Sequence, residues 1–255
     1  AKLSNAVDFG TICLQAIGPS ACNNRGLSPQ STDGLATLKG DNVGFGFNLG
    51  LFFVPKPGTH LGASYRSRID HEIKGNANFS VPDAALILTR GGQFMDTSAH
   101  TKVTLPDQVM LGFSQNIGTR WTLSGDAMWT NWSLVRELRT DFASSQADSA
   151  QPLQWKDAWR LALGLSYMPE QAKWTIRTGF AFDQTPIPNA DFRPARIPDN
   201  NRYWLTAGFS YRILTNVTLH GAYAHLFIPN PAINSNSSTG DRLNGQYTAQ
   251  VNIVG

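Results

Sequence analysis

The sequence has no run of about 18 apolar residues, so it contains no segment long enough to cross a bilayer as a single helix. Its mean hydropathy of −0.24 is in the range of water-soluble proteins. Neither feature excludes a membrane-spanning β-barrel, because barrel strands distribute their apolar residues among polar ones. The absence of an apolar run therefore excludes a protein that crosses the membrane with helices. A water-soluble protein and a membrane-spanning β-barrel both remain possible.

Reactive and charged residues are also scarce. The only two cysteines, Cys13 and Cys22, have no further ligands nearby that could complete a zinc site. We expect them to form a disulfide in an exported loop, and two unpaired thiols are the alternative. Five histidines are scattered without an acidic cluster or a Ser–His pair in register, which argues against a metal site and a hydrolase. The net charge of +3 includes no basic cluster of the kind that binds nucleic acid. The sequence thus predicts a protein that is not an enzyme and needs no cofactor, metal or nucleic acid.

What the sequence does contain is a long alternation between residues 43 and 74. In each half, most residues of one parity are apolar or aromatic, and most residues of the other parity are glycine or polar. Such a period of two is typical of β-strands. The apolar rows extend over about ten residues, which is the length of a tilted strand that crosses a bilayer. The apolar row of the first half is Val43, Phe45, Phe47, Leu49, Leu51 and Phe53, and that of the second is Leu61, Ala63, Tyr65, Ile69 and Ile73.

Similar segments recur along the whole chain, and their connections alternate between short turns and long loops. This arrangement is typical of outer-membrane barrels. Aromatic residues concentrate at both ends of the segments, as two membrane interfaces would favour. The fold class predicted is therefore an all-β antiparallel transmembrane barrel. The predicted strands are 2–9, 43–54, 60–79, 102–117, 120–141, 155–168, 173–186, 201–213, 217–229 and 246–254.

Several phrases in order along the chain resemble the FadL family of outer-membrane long-chain fatty acid transporters, some of whose members carry aromatic hydrocarbons. They include GFGFNLGLFF, GASYRSRIDHEIKG, WTLSGDAMWTNWS, WKDAWRLALGLSY and WTIRTGFAFDQTPIP. The resemblance implies a fourteen-stranded barrel with an N-terminal hatch, in which residues 1–255 supply about ten strands while the hatch and first strands are absent. It also implies a monomer in the bacterial outer membrane, surrounded by lipid and lipopolysaccharide, that transports hydrophobic molecules passively.

The resemblance further implies a route in which two outer loops, here about 10–35 and 80–101, capture the ligand before it passes through the lumen to a lateral exit in the wall. Both loops contain apolar residues, which often mark a ligand site when they are exposed. Packing of the loops against each other is a compatible interpretation. The candidate capture residues are Ile12, Leu14, Ile17, Leu27, Leu86, Ile87, Leu88, Phe94 and Met95.

The family holds the ligand carboxylate with basic residues, yet Asn5 and Gln151 stand where we expect them. Other cations of the predicted lumen face could replace them, or could pair structurally with lumen carboxylates such as Asp126 and Asp183. The missing anchors also leave open a neutral ligand, such as an aromatic hydrocarbon, and a general porin remains a further alternative. The candidate headgroup residues are Arg66, Arg68, Lys156, Arg160 and Arg177.

Overall fold

The computed structural model describes residues 2–236 and 242–255. Over these residues the chain is built mainly from antiparallel strands, so the all-β prediction is confirmed. Within the described ranges, no helix is long and apolar enough to cross a membrane. The strands are β1 Lys2–Asp8, β2 Asp33–Asp41, β3 Asn48–Lys56, β4 Thr59–Arg66, β5 Ile69–Ser80, β6 Thr97–Leu105, β7 Gln108–Ile117, β8 Trp121–Thr130, β9 Glu137–Phe142, β10 Ser149–Pro152, β11 Ala158–Tyr167, β12 Trp174–Asp183, β13 Arg202–Leu214, β14 Val217–Phe227, β15 Ala232–Asn236, β16 Arg242–Gln246 and β17 Gln250–Val254.

Nine strands form the wall sheet, in the order β17-β14-β13-β12-β11-β8-β7-β4-β3. Directly paired residues share one face of a sheet, so the pairing of Leu163 with Phe180, and of Phe180 with Leu205, sets an apolar row across three strands. These three apolar side chains are exposed, although their burial away from water would be energetically favourable. Such a continuous apolar outer face is what a barrel presents to lipid.

Aromatic side chains gather at both ends of the wall sheet, as predicted. Next to the short turns, the ring of Tyr167 lies 4.4 Å from that of Trp121 and 5.9 Å from that of Trp174. At the opposite end, Phe182 and Tyr203 lie 5.3 Å apart. Amphipathic rings at two levels suit the two interfaces of a bilayer.

Six strands form a second sheet, the outer sheet, in the order β1-β2-β5-β6-β9-β10. The chain passes several times between the two sheets, so the predicted strands 60–79, 102–117 and 120–141 are each divided in two. The breaks fall at 67–68, 106–107 and 131–136. Pro106 lacks the N–H that would continue the ladder, and Asp107 beside it bonds Asn131 through both backbone and side chain, at 3.0 Å each.

The prediction was wrong for residues 43–47, which lie outside any strand, and it missed β2, which ends at Asp41. The reason is steric. A Cβ on Gly44 would lie 2.5 Å from Ile69 Cγ2, and one on Gly46 would lie 2.6 Å from Ile69 Cγ1. The segment therefore passes over the Ile69 side chain instead of pairing with the backbone of β5.

Three predicted loops contain regular structure. The segment 10–35 holds two short α-helices, α1 Phe9–Ile17 and α2 Pro19–Asn23, and the segment 80–101 holds a 3₁₀ helix at Asp83–Thr89. β10 lies within 142–154. β15 and β16 pair from Ala232 to Gln246, so this pairing extends two residues beyond the predicted loop 230–244; residues 237–241 between them are not described.

Candidate functional site

The N-terminus of α1 is fixed by Asp8, whose carboxylate accepts bonds from the Thr11 N–H (3.0 Å), the Thr11 hydroxyl (2.6 Å) and the Gln30 N–H (3.1 Å). This is the N-cap interaction that Asp favours. Partial burial raises the pKa of Asp8, but these hydrogen bonds outweigh it and leave the pKa below its ordinary value. Asp8 therefore links α1 to the chain that follows α2.

A buried apolar cluster, the outer-loop core, joins the two loops that we predicted to capture ligand. It contains Phe9, Cys13, Cys22 and Leu27 from one loop, and Ala85 and Leu88 from the other. The disulfide prediction is confirmed, since Cys13 and Cys22 are bonded. The ring of Phe94 packs against Phe9 at 5.1 Å between centroids. The two loops thus pack on each other around a covalent crosslink.

The nine candidate capture residues divide by exposure. Leu27 and Leu88 are 0% and 7% exposed, so they hold the loops together and offer no surface to a ligand. Four others, Ile12, Leu14, Ile87 and Phe94, are partly buried against the same cluster. Ile17, Leu86 and Met95 remain 42%, 50% and 52% exposed. Any capture surface therefore rests on these last three, which we call the exposed loop residues.

On the inner face of the wall sheet, arginines and carboxylates pair across strands. Arg160 donates to Asp126 at 3.0 Å. Arg202 bonds Asp183 at 2.9 Å and Asp199 at 2.8 Å. For Arg160, the ion pair with Asp126 is the structural role that the sequence left open beside a headgroup role. Arg202 also forms ion pairs on this face, but the sequence did not identify it.

Two of the cavities along the same inner face are lined by these paired arginines. The lower cavity, of about 570 Å³, has a floor of small residues that includes Gly164, Gly179, Gly208 and Ala222. The upper cavity, of about 340 Å³, lies under the loop 184–201. Arg160 lines both cavities, and its ion-pair partner Asp126 lines the lower one. The upper cavity is lined by Met128, Trp132, Trp155, Pro186, Ile187, Ile197, Asp199 and Arg202, among others.

The loop 184–201 is held by two further arginines. Arg193 is buried, donates to the backbone carbonyls of Asp199 (3.1 Å) and Ala232, and has its pKa lowered by that burial. Arg196 donates to the side-chain oxygen of Asn5, on β1. Asn5 stands where the family resemblance predicts a basic residue, and Arg196 brings a guanidinium to that position.

The five predicted headgroup cations are not brought together. Arg160 and Arg177 line the lower cavity. Arg66 donates to Asn48 at 3.0 Å, and Arg68 and Lys156 are exposed, with the Lys156 backbone bonded to Pro186. Among these five, only Arg160 and Arg177 line either of the two inner cavities described above.

Comparison with known proteins decides the family. The model of the outer membrane protein transport family (OMPP1/FadL/TodX) matches residues 1–255. The chain belongs to the OMPP1/FadL/TodX family. It is 32% identical over 199 residues to a long-chain fatty acid transport protein of Escherichia coli O6:H1, covering 76% of this chain and 44% of that protein. The chain spans about half the length of the curated relatives it matches.

Solved structures of this family share the fold. A Pseudomonas aeruginosa FadL homologue superposes with a TM-score of 0.80 at 26% identity, covering 99% of this chain and 60% of that one. The Pseudomonas putida toluene transporter TodX gives 0.62 at 18% identity, covering 99% and 61%, which shows the fold alone. This FadL-family chain is therefore part of an antiparallel transmembrane barrel of the bacterial outer membrane, as predicted.

Proposed function

We propose that this protein transports long-chain fatty acids or similar hydrophobic molecules passively across the outer membrane. In this proposal residues 1–255 are part of a single barrel domain of a monomeric protein, with the apolar outer face against lipid and lipopolysaccharide. The observation that carries the proposal is the presence of two cavities along the inner face of the wall sheet, which offer a ligand two sites on the lumen side. No covalent step is needed, because binding energy and diffusion suffice for passive transport.

Capture begins at the exposed loop residues. Each methylene that leaves water contributes about 0.8 kcal/mol, so a few methylenes lying on Ile17, Leu86 and Met95 hold a chain weakly. The outer-loop core keeps these side chains in place before the ligand arrives, which lowers the entropy cost of association. Weak, preorganised capture suits a surface that must release its ligand to the lumen.

Passage then leads through the upper cavity, where apolar side chains accompany paired charges. A carboxylate headgroup reaching Arg160 competes with Asp126 for the same guanidinium, because Arg160 is already neutralised there. A neutral ligand meets no such competition. This pairing favours the second candidate, uptake of aromatic hydrocarbons, in which the headgroup plays no part.

We place a lateral exit at residues 42–47. Within the described ranges, hydrogen bonds to the adjacent chain hold this segment only at its ends: Asn42 bonds Glu72 and His71 of β5, each at 3.0 Å, and Phe47 bonds Ser67, between β4 and β5, twice at 2.9 Å. Displacing it therefore breaks few bonds. Phe45 is 88% exposed, so the segment already presents an apolar surface to its surroundings.

Uptake by cells that lack other transporters of this family tests the proposal. We expect saturable entry of radiolabelled oleate when the protein is present, and competition by toluene if neutral ligands share the route. Liposome swelling with small sugars is the companion measurement. Rapid sugar entry without saturable oleate or toluene uptake would identify a general porin and refute the proposal.

A further inference from the structure

We propose that a groove on the outer face of the wall sheet binds one acyl chain of an outer-membrane phospholipid. The groove, which we call the acyl groove, has a volume of about 640 Å³ and lies over Gly125 and Ala127 of β8. It opens on the face opposite to the lumen and its two cavities. The proposal therefore goes beyond the transport function and does not depend on it.

The acyl groove exists because two outward positions of β8 lack large side chains. Paired residues share one face of a sheet, so two apolar rows that cross the wall sheet are interrupted at Gly125 and Ala127. These two residues are only partly exposed, whereas Leu111 and Leu163 beside them are both 57% exposed. The side walls of the groove are the residues of β7 and β11 paired with the two small ones, namely Leu111, Phe113, Leu161 and Leu163.

The floor of the acyl groove is closely packed. A Cβ on Gly125 would lie 2.7 Å from Phe113 Cε1 and 2.8 Å from Leu163 Cδ2. The two walls thus rest directly on the glycine backbone, and the groove has its shape before any ligand arrives. Every strand that lines it, from β4 to β12 across the middle of the wall sheet, belongs to the described residues.

The acyl groove lies between the two aromatic belts of the wall. Trp121 and Trp129 are each four residues from Gly125 along β8, or about 13 Å at ~3.3 Å per residue. Trp121 is paired with Tyr167 at the short-turn end, and Trp129 is paired with Trp159 at the other end. Because Trp and Tyr mark the membrane interfaces, the groove lies at the depth of the hydrocarbon, where no water is available to fill it.

The chemistry of the lining fits a hydrocarbon chain. Asp126 is the one ionisable residue that lines the groove in the described part of the chain, and its carboxylate accepts a bond from Arg160 on the inner face. The groove is continuous with the outer face that the barrel presents to lipid. Lipid tails are as apolar as leucine, so van der Waals contacts select the groove over the flat wall.

The size of the acyl groove disfavours a second copy of the chain as its occupant. The groove spans two rows along β8, about 7 Å, and two strand spacings between β7 and β11, about 10 Å. A stable protein interface buries about 800 Å² on each partner, which is several times this area. One flexible chain can enter such a depression, whereas the convex wall of another barrel cannot.

Photolabelling in bilayers tests the groove. The probe is a phosphatidylethanolamine with a diazirine near the end of one acyl chain, and mass spectrometry of the digested protein locates the label. We expect Leu163 to be labelled about fivefold more than Leu205, which lies in the same row outside the groove. Ala127→Leu should fill the groove and remove this enrichment. Ala207→Leu, the matched control, adds the same side chain at an exposed position of the outer face and should preserve it.

The wild-type comparison of Leu163 with Leu205 decides the proposal even where a variant fails to give the heat-resistant folded form on a gel. Equal labelling of the two residues, or an equal loss of enrichment in both variants, would overturn the site. Removal of the label by excess free oleate would assign the groove to the transported ligand, and a dimer with an unlabelled groove would assign it to a second copy; either result would overturn the lipid assignment.

Discussion

Removing the disulfide should loosen the outer loops without unfolding the barrel. Cys13 and Cys22 are nine residues apart, so the loop-closure entropy of their crosslink corresponds to about 3 kcal/mol. Both sulfur atoms lie inside the outer-loop core and not in the wall sheet. In the double variant Cys13→Ser/Cys22→Ser, we therefore expect the loop to open about 100-fold more often.

Limited trypsin digestion measures this opening. Arg25 follows α2 and is bonded to the Ala21 carbonyl at 2.7 Å, so cleavage after it requires local opening. Its cleavage rate should rise by about two orders of magnitude in the double variant. Arg120, in a turn at the opposite end of the wall sheet, is the internal control. Unchanged cleavage at Arg25 would refute the role of the disulfide, and loss of the heat-resistant folded form on a gel would refute the independence of loop and barrel.

Three further predictions concern single side chains. Leu86→Ser should reduce oleate uptake and leave folding intact, whereas Leu88→Ala should destabilise the outer-loop core by about 2–5 kcal/mol. Trypsin digestion measures that destabilisation. Faster digestion of Leu86→Ser with unchanged uptake, and reduced uptake by a trypsin-resistant Leu88→Ala, would contradict the division by exposure. Asp126→Asn should tighten octanoate binding by leaving Arg160 unpaired, and calorimetry showing no gain would exclude the competition described above. The folded pKa of Asp8 is lowered, so its contribution to stability is present at neutral pH and lost as pH falls below about 4. In wild type, hydrogen exchange in α1 should become faster as this stabilisation is lost at acid pH. The same acid-dependent change in Asp8→Asn would contradict its assignment to Asp8.

The wall of the barrel was predictable because it depends on a local period. Leu163, Phe180 and Leu205 fall on the apolar parity of their own strands, and that parity alone places them on the outer face. The division of strands was not predictable in the same way. Residues 42–47 keep the alternating pattern, and it is their contact with Ile69, across the fold, that takes them out of the sheet.

The candidate site was predicted in part. Apolar composition identified the two outer loops, but it could not separate Leu27, which is buried, from Leu86, which is exposed. Inward parity assigned Arg160 and Arg177 to the lumen face, and both line the lower cavity, whereas Lys156, assigned to the same face, lines neither cavity. The bond from Arg196 to Asn5 joins residues 191 apart in sequence, and no periodicity indicates such a contact.

The most direct test of passage through the lumen is to fill the lower cavity with a large side chain. Gly164 lines the lower cavity, and a Cβ there would meet nothing nearer than the Thr178 carbonyl at 3.7 Å, so Gly164→Trp should be accepted by the backbone while obstructing the cavity. Leu205→Trp, on the exposed apolar face, is the matched control. With equal amounts of folded protein in the outer membrane, we predict that Gly164→Trp abolishes saturable oleate uptake and that Leu205→Trp retains it. Equal uptake by the two variants would contradict transport through the lumen.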